Sequence, residues 1–425
     1  MKKSLKLSVA VALALSSTAV YATNGVNLIG NTAKSRAMGG VGIGMPFGAD
    51  NGLSNPALIS SVEATEVSFG GTLFMPSVST DGGIPSNAPL PPTFTGGMTD
   101  SEADTFIVPE VGFAMKATDN FYWGIGMWGA SGLGVDYRNA TNPGTANLVT
   151  NYQILQLIVP LTYKTGGLSL SVAPVVNYGA LDTQWTMYNP NTLAVMGTQS
   201  AGVSQDIALG ANLGAAYQTG ALTLGAVYKS SIKMEYEDQP ALNADEVLEP
   251  MFGITGATNW RLDVPAEYGI GASYVIGGKH TIAADVKNIA YGDTKGWEDF
   301  GWDNQTVIAL GYQFDAGNYQ LRVGYNYGKA PIENLGVTDP ATAQANASRN
   351  FFNAVGFPAT VEQHITLGGS YQFTKQLGLD LAFTYAPEES VTYDSFSPTS
   401  PTPTPIEINT DHSQTAVTAG LTFKF

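Results

Sequence analysis

The last nine residues, Val417-Thr418-Ala419-Gly420-Leu421-Thr422-Phe423-Lys424-Phe425, alternate strictly, with apolar side chains at odd positions and polar or small ones at even positions. Successive side chains of a strand point to opposite faces, so a period of two sets one face against an apolar phase and the other against water. A chain that closes on such a strand, aromatic at its tip, has the ending typical of a membrane β-barrel. The remainder must then supply the other strands.

It does so without long apolar runs. Beyond the first 22 residues no segment approaches the roughly 20 apolar residues of a spanning helix, yet 44% of the chain is hydrophobic and only 13% charged. Soluble domains carry about 25% charged residues; low charge without apolar runs suits a barrel, whose lipid face takes alternate residues only. From Thr65 onward the alternation predicts about fourteen strands. The clearest are Ala221–Tyr236, Asn259–Tyr274, Tyr319–Gly328, Val361–Phe373, Leu377–Tyr385 and Gln414–Phe425. The expected fold is all-β, a transmembrane antiparallel barrel. Parity in the second of these strands assigns Trp260, Leu262, Val264, Ala266, Tyr268, Ile270 and Tyr274 to lipid, and Arg261, Asp263, Glu267 and Ser273 to the lumen.

The connections fall into two alternating classes. Short turns occur at 118–120, 165–167, 219–220, 277–278, 315–317 and 374–375; long loops lie near 77–104, 132–149, 182–203, 237–257, 293–302, 331–359 and 387–411. Barrels segregate short and long loops to opposite membrane faces, whereas a soluble sandwich has no reason to do so. Ser395–Pro405 reads as an extended, proline-rich segment, either a solvated surface loop or a recognition element.

Lys2, Lys3 and Lys6, the apolar run Leu7–Leu15 and the small-residue site Val20-Tyr21-Ala22 form a secretory signal, with cleavage expected after Ala22. Removing those three lysines from the 19 basic residues leaves 16 against 35 acidic ones, a net charge near −19 that argues against nucleic acid as a partner. With no cysteine, disulfides and thiolate chemistry are excluded.

Residues 23–64 do not alternate. They carry Ser35-Arg36-Ala37-Met38-Gly39-Gly40-Val41-Gly42 and then Asp50 and Asn55-Pro56-Ala57. A fourteen-stranded barrel has an open lumen unless something fills it, and an apolar, glycine-rich segment suits a plug better than a solvated tail. The organisation expected is a signal at 1–22, an N-terminal hatch at 23–64 and a barrel at 65–425.

That run, with Gly39, Gly40, Asn55, Pro56 and Ala57, resembles the amino-terminal hatch of the FadL/TodX family of outer-membrane transporters of hydrophobic compounds. Leu321–Gly328 followed by Pro331-Ile332, His364–Tyr371, and Trp260-Arg261-Leu262 followed by Pro265-Ala266-Glu267 are similar to later strands of the same family. The resemblance covers essentially the whole mature chain. It implies a hatch-plugged barrel in the outer membrane of a Gram-negative bacterium, passing long-chain fatty acids or hydrocarbons through an apolar pocket and a lateral opening at a kinked third strand.

The third strand contains Gly124, Gly126 and Gly129. Their Gly-x-Gly-x-x-Gly spacing lacks the strand-then-helix context of a nucleotide site; strand glycines mark bulges or kinks, in keeping with the implied opening. Parity sends Phe74, Tyr122, Trp128, Ile154 and Ile158 to the lumen, as substrate contacts or as packing for the hatch. Lumenal charges expected are Lys229, Lys233, Arg261, Asp263, Glu267, Asp285, Lys287, Arg322, Glu362 and His364, paired with one another or with the hatch; Lys229 and Arg322 are the candidates for holding a carboxylate head group. His280, His364 and His412 have no zinc spacing, and no Gly-x-Ser-x-Gly elbow occurs, so neither enzyme activity, metal nor cofactor is expected. Expected partners are a hydrophobic small molecule, outer-membrane lipid and lipopolysaccharide, and the barrel-assembly machinery through the terminal strand. A closed barrel without free edges is expected to be monomeric. A hydrophilic porin and a surface adhesin or receptor are the competing readings.

Overall fold

The computed structural model describes residues 23–189, 191–200, 202–239, 259–397 and 403–425; the expected signal peptide, most of the 237–257 loop and the centre of Ser395–Pro405 lie outside them. Fourteen antiparallel strands close into one barrel. They are β1 Thr65–Thr80, β2 Phe106–Lys116, β3 Phe121–Asp136, β4 in two pieces, Val149–Ile158 and Leu161–Thr165, and β5 Leu168–Tyr188. Next come β6 Ser204–Thr219, β7 Leu222–Lys229, β8 Glu267–Ile276, β9 His280–Ile289 and β10 Gln305–Asp315. The last four are β11 Tyr319–Gly328, β12 Gln363–Gln372, β13 Leu377–Phe396 and β14 Pro405–Lys424. The terminal strand seals the barrel against the first, with Phe423 opposite Val67 and Ala419 opposite Gly71.

Alternation is visible in the burial. On β9, Ile282 and Val286 are exposed, whereas Thr281, Ala283 and Asp285 are buried. Tyr217, Tyr274, Tyr312, Tyr319 and Tyr371 stand exposed near the short turns, and Tyr228, Tyr268, Tyr325, Tyr327 and Tyr385 towards the long loops. These are two girdles where a membrane barrel puts amphipathic rings.

Two expected strands change character on leaving the wall. β7 stops at Lys229 and β8 starts only at Glu267. Between them Ile232 bridges to Val264, and Glu235–Glu237 pairs with Asn259–Arg261. Trp260, Leu262 and Val264 are therefore buried in the interior with Ile232, Met234 and Tyr236, not turned to lipid. The breaks at Ser230-Ser231 and at Pro265 reset the parity, because a proline cannot donate to the ladder. Lys233 and Arg261 fall on the outer side of this hairpin, paired with Glu235 and Asp263 and substantially exposed, so they are not lumenal.

Residues 23–64 lie inside, almost wholly buried. They form one helical turn, α1 (Ala33–Arg36), capped by Thr32, and two 3-10 turns, Gly48–Asn51 and Pro56–Ser61. Asn55 caps the last of these, its side chain accepting from the Ala57 amide, with Pro56 at the first turn where no N–H is needed. At the end with the long loops, α2 (Ala343–Phe351) and the turn Phe352–Gly356 fold over the interior.

Candidate functional site

The wall is interrupted between β2 and β3. Their ladder runs from Lys116–Tyr122 to Glu110–Trp128 and ends there. Pro109, which has no N–H to offer, is the next residue of β2. On the other side of β3 a bulge at Ala130 shifts the register to β4 between Gly129 and Ser131. Beyond it Ser131–Val135 are all buried, so β3 has turned inward. The amino-terminal segment takes up the freed edge: Asn27 pairs with Ser131, the Gly132 amide donates to the Val26 carbonyl at 3.0 Å, and Ser131 Oγ donates to Asn27 Oδ1 at 2.7 Å. The segment ahead of β2 meets the far end of β3 at the Asp136 amide, which donates to Ser101 Oγ. Of the three expected glycines, Gly129 adjoins the bulge. Gly124 and Gly126 sit in paired ladder, where a Cβ would collide with the Phe113 carbonyl and the Trp128 ring respectively.

Behind the bulge lies a cavity of about 40 Å³ lined by Asn27, Leu28, Asn31, Leu53, Ala130, Ser131, Lys229, Glu267 and Lys287, among others. Lys229 and Lys287 both pair with Glu267, at 2.8 and 3.0 Å. Two half-buried ammoniums therefore share one carboxylate. Arg322 is elsewhere. It donates to Gln313 and to Ser370 Oγ and faces Asp380 at 3.9 Å, at the end of the barrel with the short turns.

Phe74, Trp128, Ile154 and Ile158 are buried in one interior apolar cluster that includes Leu53 of the amino-terminal segment. Tyr122 belongs to another, with Ala49, Ile59, Val62 and Ala114. Packing against residues 23–64 accounts for Tyr122, and in part for Trp128, whose ring would sit 2.5 Å from a Cβ on Gly52.

Sequence reasoning missed the aromatic lining. Trp297 and Trp302 have ring centroids 4.5 Å apart, Phe300 stacks on Phe352 at 4.9 Å, and Phe357 meets Phe352 edge-on at 5.0 Å. Tyr152, Tyr236, Trp260 and Tyr291 complete the group. The signal was available: a solvated loop has no use for Trp297, Phe300 and Trp302 within six residues.

Residues 23–64 are held by the wall. Asp285 accepts the amides of Gly42, Ile43 and Gly44 at 2.7, 2.8 and 3.3 Å. Asn326 donates to the Gly39 carbonyl at 2.9 Å, and the Gly39 amide donates to Thr366 Oγ1 at 2.9 Å. Asn55 Nδ2 donates both to the Ile43 carbonyl at 2.8 Å and to the Ala215 carbonyl at 3.1 Å. Lys34 meets Asp50 at 2.9 Å and Asp380 at 3.8 Å.

A closed antiparallel barrel with two girdles of exposed tyrosines and a buried amino-terminal segment defines a membrane-spanning β-barrel. Residues 12–425 match the family of outer membrane transport proteins described as OMPP1/FadL/TodX, and the chain belongs to that family, which is one of transporters and not of enzymes. It is 28% identical over 160 residues to the long-chain fatty acid transport proteins of Escherichia coli K12 and Salmonella typhi; that stretch is 37% of this chain and about a third of theirs, 34% and 35%. Among solved structures it resembles a Pseudomonas aeruginosa FadL homologue (TM-score 0.72, 14% identity, 94% of this chain and 100% of that one). It also resembles the Pseudomonas putida toluene transporter TodX (TM-score 0.64, 17% identity, 95% and 100%). At these identities the likeness establishes the fold.

Proposed function

We propose that this protein passes hydrophobic molecules, long-chain fatty acids or hydrocarbons, across the outer membrane of a Gram-negative bacterium, with residues 23–64 as a movable hatch and the gap between β2 and β3 as the lateral opening. The observation that carries this reading is the coincidence of a ladder end and a register shift: β2 and β3 part beyond Glu110–Trp128, and at the Ala130 bulge β3 shifts against β4 and turns inward. A hydrophobic solute gains about 0.8 kcal/mol per CH₂ on leaving water, so a route from an apolar pocket into the bilayer avoids rehydrating it. The cavity behind the bulge holds little more than a water or two. Passage therefore requires Leu28 and Leu53 to move, and the amino-terminal segment is the element free of the barrel ladder over most of its length. No energy source is needed, since a ligand that binds the open form better shifts the population towards it.

Lys229, with Lys287 beside it, is the head-group cation of this reading, because the two lysines and their shared Glu267 line the cavity behind the bulge. Arg322, remote from the gap, has the weaker claim. Substrate contacts are assigned to Phe74, Trp128, Ile154 and Ile158. Phe425 serves as the signal for the barrel-assembly machinery, lipopolysaccharide and lipid surround the wall, and the closed ladder favours a monomer.

Deleting Ala130 tests the opening. The deletion removes the bulge residue, restores a continuous β3–β4 register and should lower uptake of a radiolabelled fatty acid or aromatic hydrocarbon in cells with normal amounts of folded barrel. Unchanged uptake would refute the lateral route. Rapid sugar permeation in liposome swelling would favour a porin instead, and loss of cell-surface binding on deleting 387–411, with uptake intact, would favour an adhesin.

A further inference from the structure

We propose that the mature chain's own α-amino group is a buried ligand of the barrel, seated on Gln414 and linked through His412 to the loop that caps the interior. The site Val20-Tyr21-Ala22 makes Thr23 the first mature residue, so its nitrogen becomes an amine instead of a peptide amide. Thr23 is 2% exposed, and its nitrogen donates to Gln414 Oε1 at 3.2 Å.

The surrounding bonds fix every proton. His412 Nδ1 lies 2.8 Å from the Pro358 carbonyl, which only accepts, so Nδ1 carries the hydrogen. His412 Nε2 is then an acceptor and takes the Gln414 Nε2 hydrogen at 3.1 Å. Gln414 Oε1 is thereby left to accept, from Thr23 and from His364 Nε2 at 3.3 Å.

Some neighbouring polar atoms remain unsatisfied. Among the described residues, His364 Nδ1, both Oδ1 and Nδ2 of Asn24, and Gln305 Oε1 are buried without a partner. Gly328 lies between the last two side chains: a Cβ there would be 3.2 Å from Gln305 Nε2 and 3.5 Å from Asn24 Oδ1. A peptide amide has one hydrogen, already given to Gln414; an ammonium has three and a neutral amine two. The amine can therefore keep the bond to Gln414 and still has a hydrogen to give to a second acceptor. The ordinary pKa of an α-amine, near 8, also lets it enter this neutral pocket without a counter-ion.

The amine thus ends a line of bonds running Thr23, Gln414, His412, Pro358. Pro358 follows Phe357, which packs on Phe352 and Trp297 at the aromatic cap. The peptide amide already makes this tie; cleavage of the signal leaves an amine in its place. The inference stands apart from substrate and side opening.

Intact mass of the purified protein fixes the first residue; a start other than Thr23 overturns the proposal. 2-Pyridinecarboxaldehyde, which condenses with N-terminal α-amines, is then applied to the folded protein in detergent near neutral pH. Labelling should be at least about tenfold slower than in a urea-denatured sample, the protection of a group that reacts only when its site opens. Gln414→Leu should abolish the protection and Gln414→Glu, which retains an acceptor, should keep it, with folding of each verified by heat-modifiable gel mobility. If Gln414→Leu fails to fold, a Gly-Ser insertion ahead of Thr23 leaves the wall untouched and should label at the denatured rate. Wild-type labelling at the denatured rate, or full protection in the folded leucine or insertion variant, overturns the proposal.

Discussion

Gly39 lies so close to Tyr325 of β11 that a Cβ on the glycine would stand 2.6 Å from the tyrosine carbonyl oxygen. Its φ of +70° is also one that L side chains rarely adopt. Gly39→Ala should therefore pay for both strain and a backbone collision, about 2–4 kcal/mol by the combined magnitudes of left-handed strain and overpacking. Because the wall does not depend on this contact, the barrel should keep its heat-modifiable mobility while residues 23–64 become sensitive to protease. A variant with both properties unchanged would show that the segment tolerates displacement from β11.

Asp285 anchors the following stretch. One carboxylate takes three successive amides, and hydrogen bonds to charged acceptors contribute about 1.5–3 kcal/mol each. Asp285→Asn removes the charge and turns one acceptor into a donor facing amide hydrogens. Hydrogen exchange at Gly42–Gly44 should accelerate by at least about a hundredfold, the equivalent of roughly 3 kcal/mol of local opening, with exchange in β1 and β14 unaltered.

The wall was legible in the sequence because a barrel strand repeats one physical requirement at every second residue. Fourteen strands, the six short turns and the inward course of Asp285, Glu267 and Ser273 all follow from it. The reading failed where the lipid ended. Trp260, Leu262 and Val264 alternate like wall residues, but beyond the bilayer an apolar face can be covered only by folding inward, and Pro265 resets the phase. The interior site was less legible still. Trp128 and Ile154 come to the lumen by parity, whereas Trp297, Trp302 and Phe352 come from loops with no period to read. Nor does any local pattern reveal that Lys229 and Lys287 share Glu267, since strand pairing brings those three together.

Trp128 stands where the β2–β3 ladder stops and leans on Gly52. Trp128→Ala removes the largest side chain of that junction and, like other buried aromatic truncations, should cost about 3–5 kcal/mol. In the transport reading the cavity so created adjoins the side opening. Uptake of a hydrophobic substrate per folded barrel should fall, because a proposed substrate contact is lost; unchanged uptake per folded barrel would make Trp128 a packing residue only.

Lys34 supplies the remaining anchor, at the end with the short turns. Burial by itself would lower its pKa, but the carboxylates of Asp50, Asp380 and Glu66 outweigh that and hold it well above the ordinary lysine range. A raised folded value means that the stabilisation is complete below the unfolded lysine pKa, about 10.4. It declines only as the pH rises past that point towards the folded value. Lys34→Met strands the Asp50 carboxylate and should destabilise by about 3–5 kcal/mol, as breaking a buried pair does. The difference from wild type, measured by denaturant unfolding in micelles, should be constant between pH 7 and pH 10, within about 0.5 kcal/mol, and shrink above about pH 11. A difference that shrinks between pH 7 and pH 9 would mean that Lys34 titrates in the ordinary range and that its ion pairs do not anchor the amino-terminal segment.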